Sequence, residues 1–275
     1  VIISHNHYDH LDLLTIQSLL KKFPAAKYFV PLGNKSWLTS LGISPENVVE
    51  LDWWDKREFS PEDFGKKAKQ EGSDEVVLRF TCVPAQHNSG RGALDQGTTL
   101  WSGWVIEQLL VSTDEDTPSQ TRRKGAIYHA GDTGYRRTAK SEAVCPVFKE
   151  IGRKFGGFDL SFVPIWRGGT LGWISKLGLR LDHNDIPAAL HASPIDAVDI
   201  HGDVGSRCSV AVHFGTFVGS ENESLEAVLE FEEGREERGV ASLDGDEGGS
   251  GKGRAGIVDI GGSVVVEVEE RDVAL

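Results

Sequence analysis

The stretch "SHNHYDH" at residues 4–10 sets His5, His7, Asp9 and His10 close together, directly after the β-branched, apolar start "VII". Imidazoles and carboxylates are the side chains that hold divalent metals in hydrolytic enzymes. With alternating placement, His5 and His7 point to one side, while Asp9 and His10, at the following turn, point to a neighbouring position. One short loop can therefore serve two ions. Three further residues of ligand type stand at later strand ends: His87 in "PAQH", Asp132 in "AGDTGY" and His213 in "VHFG". Singly, His87 and His213 would be unexceptional; their order after the first cluster gives them a role.

A carboxylate has two equivalent oxygens, so Asp132 is the natural bridge. The expected first site is His5, His7 and His87, and the second is Asp9, His10 and His213, with Asp132 and a hydroxide shared. Asp132 and Asp9 are thereby candidate catalytic residues as well as ligands. Two divalent cations, two carboxylates and one hydroxide leave a charge of about +1, which favours an anionic or strongly polar substrate group.

Such ligands need rigid elements to aim them, and the hydrophobic periodicity supplies these. Val1–Ser4 reads as the end of a buried strand, followed by a helix through Leu11, Leu14, Leu19, Leu20 and Phe23. Strands are expected over 27–33, 46–54, 75–87, 99–108, 125–132, 158–165 and 208–217. Helices are expected over 193–205, with Pro194 in the first turn, and from about Ser224 to Glu237. The 99–108 and 125–132 strands form a hairpin, with 112–125 as a long exposed loop. Residues 239–256 are expected to be flexible, and 263–270 to close the chain as a β-rich run. Alternating strands and helices point to an α/β class with a mixed sheet, and 1–275 reads as a single domain.

The 275-residue chain is 39% hydrophobic and carries a net charge of −13, which argues against nucleic-acid binding through phosphate contacts. No apolar run has the length needed to cross a bilayer. Cys82, Cys145 and Cys208 are scattered and form no C-x-x-C pair, so a reducing intracellular compartment is expected. Methionine is absent even at position 1, which reads as a start lying upstream of Val1.

"SHNHYDHLD" resembles the signature of the metallo-β-lactamase superfamily, and the later ligands follow that family's order. "PAQHNSGR", "LWSGWVI", "HAGDTGY", "FGGFDLSFVPI" and "VAVHFGTF" resemble its N-acylphosphatidylethanolamine-hydrolysing phospholipase D branch over about residues 1–219. The resemblance implies an αββα four-layer sandwich, here lacking its first strands, with all seven ligand positions present and two zinc or other divalent ions bound. It further implies that His191, opening "HASPIDAV", contacts the substrate phosphate or protonates the leaving group. Ser193, Ile195 and Asp196 depart from the family's residues there, and so does the 166–190 segment. His129, His183 and His201 read as structural or surface residues. Trp101 and Trp104 face opposite sides of a strand, so at least one is core, and Trp166 and Trp173 are candidates for an acyl-chain path or a membrane contact.

The implied activity is hydrolysis of a lipid phosphodiester, releasing an N-acylethanolamine and a phosphatidic acid, by a cytoplasmic or peripherally membrane-bound enzyme. Two rivals stand beside it. One is a lactonase or other carbonyl-ester hydrolase of a soluble anionic substrate with the same metals. The other is an inactive, truncated fragment.

Overall fold

A computed structural model describes residues 1–65, 74–112, 121–138, 140–166, 189–216, 221–245, 251–268 and 270–272. Its first sheet is small. Strands β1 (Tyr28–Pro31) and β2 (Val48–Leu51) pair in parallel, and the chain start lies alongside β1, with Ile2 bridged to Phe29. Side chains alternate across it as a pleated strand requires. Tyr28 and Val30 face α1 (Leu13–Lys22) and α2 (Lys35–Ser40), packing with Ile3, Leu11, Ile16 and Leu38. Phe29 faces the other way. It meets Phe59, Phe80, Cys82 and Trp104 of the large sheet, and its ring stacks on Phe80 at 3.9 Å.

The large sheet runs in the order β3 (Lys56–Phe59), β4 (Glu75–Val83), β5 (Gly103–Val111), β6 (Thr121–His129), β7 (Phe158–Pro164), β8 (Ser206–Val212), β10 (Arg254–Gly256), β9 (Ala241–Ser242). A short β11 (Arg271–Asp272) pairs with the start of β6. Strands β3 to β6 are antiparallel and β6 to β8 parallel, so the sheet is mixed. Its outer face packs against α3 (Val147–Phe155), α4 (Pro194–Val204) and α5 (Glu221–Arg238) through Phe148, Ile151, Ala197, Ile200, Val204 and Phe231. Helices, small sheet, large sheet and helices form the four layers that the resemblance implies. Trp104 is the core member of its pair, fully buried, with its Nε1 donating to the Ile3 carbonyl at 2.9 Å.

Several boundaries differ from expectation. The hairpin is longer and its loop shorter: β5 continues to Val111, which pairs with Thr121, while residues 113–120 lie outside those described. The 239–256 segment is not all loop. Arg254–Gly256 forms a parallel strand on β8, and Ala255 is fully buried. Its small residues carry no apolar pattern, but they fit a narrow place between β8 and β9. Conversely, the described part of 263–270 forms no strand, and pairing starts only at Arg271. Helix α3 did not stand out in the sequence because its buried residues, Phe148 and Ile151, are sparse among charges. Helix α4 starts as expected, with a capping box in which Ser193 and Asp196 satisfy each other's backbone N–H groups. Among the described residues no helix is long and apolar enough to cross a membrane.

Candidate metal centre

The directions of the strands explain where the site lies. Strands β4, β6, β7 and β8 all run the same way, so their C-terminal ends share one edge of the large sheet. The 1–4 segment reaches that edge from the small sheet and is tied to it by Ser102 N–H donating to the Ser4 carbonyl at 2.8 Å. His5, His7, Asp9 and His10 follow at once, and His87, Asp132 and His213 come from the loops after β4, β6 and β8.

Two groups result. In the first, His5 Nε2 lies 2.8 Å from His7 Nδ1 and 3.2 Å from His87 Nε2, and the latter two atoms are 3.4 Å apart. In the second, His10 Nε2 lies 3.0 Å from Asp132 Oδ2, 3.1 Å from His213 Nε2 and 3.3 Å from Asp9 Oδ2. Asp132 reaches both: its Oδ2 is 3.9 Å from His5 Nε2 and 3.7 Å from His87 Nε2, and its Oδ1 is 3.1 Å from His213 Nε2. The fold thus brings His5 and His7 to one group of candidate ligands and Asp9 and His10 to the other.

The donor set fits a pair of metal ions. Nitrogen ligands about 2.05 Å from a tetrahedral zinc stand about 3.3 Å apart, which matches both groups. Asp132 is 3% exposed, and apart from the nearby His213 ring its Oδ1 meets no hydrogen-bond donor among the described residues, a costly state for a buried carboxylate oxygen. Neighbouring groups fix the rings from behind, as metal-binding imidazoles require. Ser4 Oγ lies 3.0 Å from His5 Nδ1 and 3.4 Å from His10 Nδ1, while His87 Nδ1 lies 2.8 Å from the Leu190 carbonyl. With those nitrogens protonated, the Nε2 lone pairs face the centre. Sequence reasoning missed Ser4 and the Leu190 carbonyl, because a serine and a main-chain oxygen carry no distinguishing signal.

Electrostatics follow from this crowding. Burial, reinforced by the neighbouring His10 and His87, lowers His5 to about 2, and burial lowers His87 to about 4. Burial opposes ionisation of Asp9 and Asp132, yet hydrogen bonds from His10 hold both below the usual carboxylate range. For His10 burial works downward, but the bonds to Asp132 and Asp9 prevail and raise it to about 9.

His213 adopts φ 59°, a left-handed conformation uncommon for a residue with a side chain, and this turns its ring back over the edge of the sheet. His191 stands beside the two groups. Its ring is 5.1 Å from His87 and lies parallel to His213 at 6.0 Å, and Trp166 meets it edge-on at 4.5 Å. Burial lowers it to about 4. These residues open onto a cavity of about 360 Å³, lined also by His7, Asp9, Asp132, Phe214 and Thr216.

Of the other sequence candidates, His129 accepts a hydrogen bond from Gly131 N–H at 3.0 Å, and His201 is buried against Ser209 and the Lys252 carbonyl. Both are structural, as expected. Trp166 lines the cavity, whereas Trp173, His183 and most of the divergent 166–190 segment lie outside the described residues.

Comparison with known proteins shows the family. The β-lactamase superfamily domain matches residues 1–214. The chain is 33% identical over 220 residues to an N-acyl-phosphatidylethanolamine-hydrolyzing phospholipase D 1 of Caenorhabditis elegans, covering 78% of this chain and 48% of that protein. It is 30% identical over 219 residues to the mitochondrial N-acyl-phosphatidylethanolamine-hydrolyzing phospholipase D of Saccharomyces cerevisiae, covering 79% of this chain and 36% of that one. The chain thus spans half or less of the length of these curated relatives. Among solved structures, Igni18, a metallo hydrolase of Ignicoccus hospitalis, aligns over 100% of this chain and 79% of its own at 16% identity and a TM-score of 0.47. The domain match over most of the chain, on a four-layer fold that gathers its histidines and aspartates at one sheet edge, makes the chain a member of the metallo-β-lactamase superfamily.

Proposed function

We propose that this chain is the hydrolytic core of a dinuclear metal enzyme that cleaves a phosphodiester of N-acylphosphatidylethanolamine type, releasing an N-acylethanolamine and a phosphatidic acid. The observation that carries the reading is the position of Asp132, within 3.9 Å of ligand nitrogens in both groups. The choice of lipid is supported by the likeness to the worm and yeast phospholipases. Two divalent ions, preferably zinc, would be held by His5, His7 and His87 and by Asp9, His10 and His213, with Asp132 between them. Bound there, such ions stabilise charge on phosphoryl oxygens and lower the pKa of water.

The chain's own residues do the rest. Ser4 and the Leu190 carbonyl keep the ligand rings oriented. His191, neutral near pH 7 because burial lowers it to about 4, offers an N–H hydrogen bond to a phosphoryl oxygen or to the departing ethanolamine oxygen. Trp166 and Phe214 give the cavity an apolar wall against which an acyl chain can rest and from which water is displaced. The substrate is then drawn from a lipid surface, with peripheral contact sufficient.

The test is turnover of N-acylphosphatidylethanolamine in mixed micelles, of a generic phosphodiester and of a phosphorylated lactone, by the zinc-loaded chain and by Asp132→Ala. The proposal predicts turnover of both phosphodiesters and its loss in the variant. Turnover of the lactone alone would replace it with carbonyl-ester hydrolysis at the same centre.

A further inference from the structure

Away from the metal centre, a second concavity of about 450 Å³ lies on the helix-side face of the antiparallel strands, beyond the end of α3. Its floor is polar: Arg79 and Thr81 of β4, Glu107 of β5 and Arg123 of β6. Its rim adds Lys56, Arg153, Lys154 and Arg271. In a chain with net charge −13, this groove gathers, among the described residues, six cations around one lining carboxylate. Glu58, on the edge strand, bonds Arg79 at 2.8 Å and offsets one more charge, which still leaves a marked positive excess.

The groove holds an unmet hydroxyl as well as charge. Thr81 is 3% exposed, and its hydroxyl has no hydrogen-bond partner among the described residues; Glu107 Oε2, also buried, is paired with the Arg79 guanidinium at 3.6 Å. Buried polar atoms of this kind normally find a partner or a ligand. Burial and the nearby Arg271 both work against the charge on Arg123, while Glu107, 3.9 Å away, supports it. One wall is Trp54, whose φ of 72° is an outlier for a bulky residue, and whose ring lies under Lys154 Nζ at 4.7 Å. Backbone strain of this sort persists only where the surrounding structure holds the residue in place. Concave, low-dielectric walls concentrate a positive field, and guanidinium forks suit phosphate oxygens.

We propose that this groove binds a phosphate monoester dianion, with Arg79 and the rim cations Arg153 and Lys154 taking the charged oxygens and Trp54 the adjoining apolar part. The group can be free or can be the headgroup of an anionic lipid. The site is separate from the metal centre and does not depend on what that centre hydrolyses.

The test uses the zinc-loaded chain, with binding read by calorimetry and tryptophan fluorescence against two probes: inorganic phosphate, and phosphatidylcholine vesicles with or without phosphatidic acid. An Arg153→Gln/Lys154→Gln double variant alters only exposed rim residues, so folding and metal content should hold. Asp132→Ala serves as the counterpart in which the metal centre is lost. Phosphate binding that weakens by about tenfold or more in the double variant and survives in Asp132→Ala supports the site with a free anion. The same pattern with phosphatidic acid vesicles alone supports it with a lipid headgroup. Binding that is equal in the double variant, that disappears with Asp132, or that is absent for both probes overturns the proposal.

Discussion

Gly131 precedes Asp132 and holds φ +64°, and a Cβ added there would lie 2.7 Å from Ser4 Cβ and 2.8 Å from the Ser102 carbonyl oxygen. Gly131→Ala should therefore act on the metal centre through geometry alone. The left-handed conformation costs an alanine about 1 kcal/mol. Carbon contacts settle near 3.5–4.0 Å, so Ser4 or Asp132 must move by about 1 Å, and overpacking of this kind adds about 1–3 kcal/mol. Gly156 is the control, since its φ is +65° and nothing stands within 4 Å of its added Cβ. Urea unfolding should show Gly131→Ala losing about 2–4 kcal/mol and Gly156→Ala only about 1. Ser4 backs His5 and His10, so the same shift disturbs both ligand groups, and a displacement of about 1 Å can lower turnover by about 10²-fold. Equal stability of the two variants, with full metal content and full turnover in Gly131→Ala, would refute the reasoning that this glycine sets Asp132 and Ser4.

Two further outcomes follow from the packing and the titrating groups. Trp104→Ala should cost about 3–5 kcal/mol in chemical denaturation, because the side chain is fully buried between the sheets and anchors the Ile3 carbonyl just before His5. A loss below about 1 kcal/mol would mean that the two sheets are not held together there. His201 is 1% exposed, and burial lowers it from its ordinary value of 6.5. The unfolded chain therefore takes up a proton first, so this histidine's share of stability is present above pH 6.5 and is lost as the pH falls. His201→Gln should flatten the decline in unfolding free energy between pH 7.5 and 5, measured on the metal-free protein; an unchanged slope would place the acid sensitivity elsewhere.

Much of the metal centre was legible in the sequence because its parts are residue types with few other uses in such spacing. His5, His7, Asp9 and His10 announced two sites in one loop, and strand ends then pointed to His87, Asp132 and His213. The supporting groups were not legible. Ser4 Oγ and the Leu190 carbonyl act through position, which only the packed sheet edge defines. The mixed α/β sheet was legible in the alternation of strands and helices and its four layers in the motif resemblance, yet Arg254–Gly256 was not, because a buried strand of small residues has no apolar pattern. The cationic groove was invisible for another reason. Arg79, Thr81, Glu107, Arg123 and Lys154 are spread over four elements, and only the sheet register brings them to one face.

The most direct test of the central claim is metal content per chain after equilibrium dialysis against zinc, on the parent chain and on Asp132→Ala, both checked for cooperative unfolding. The account predicts two ions per parent chain and loss of at least one in the folded variant, because Asp132 serves both ligand groups. A parent chain that holds at most one ion, or a folded variant that keeps both, would contradict it.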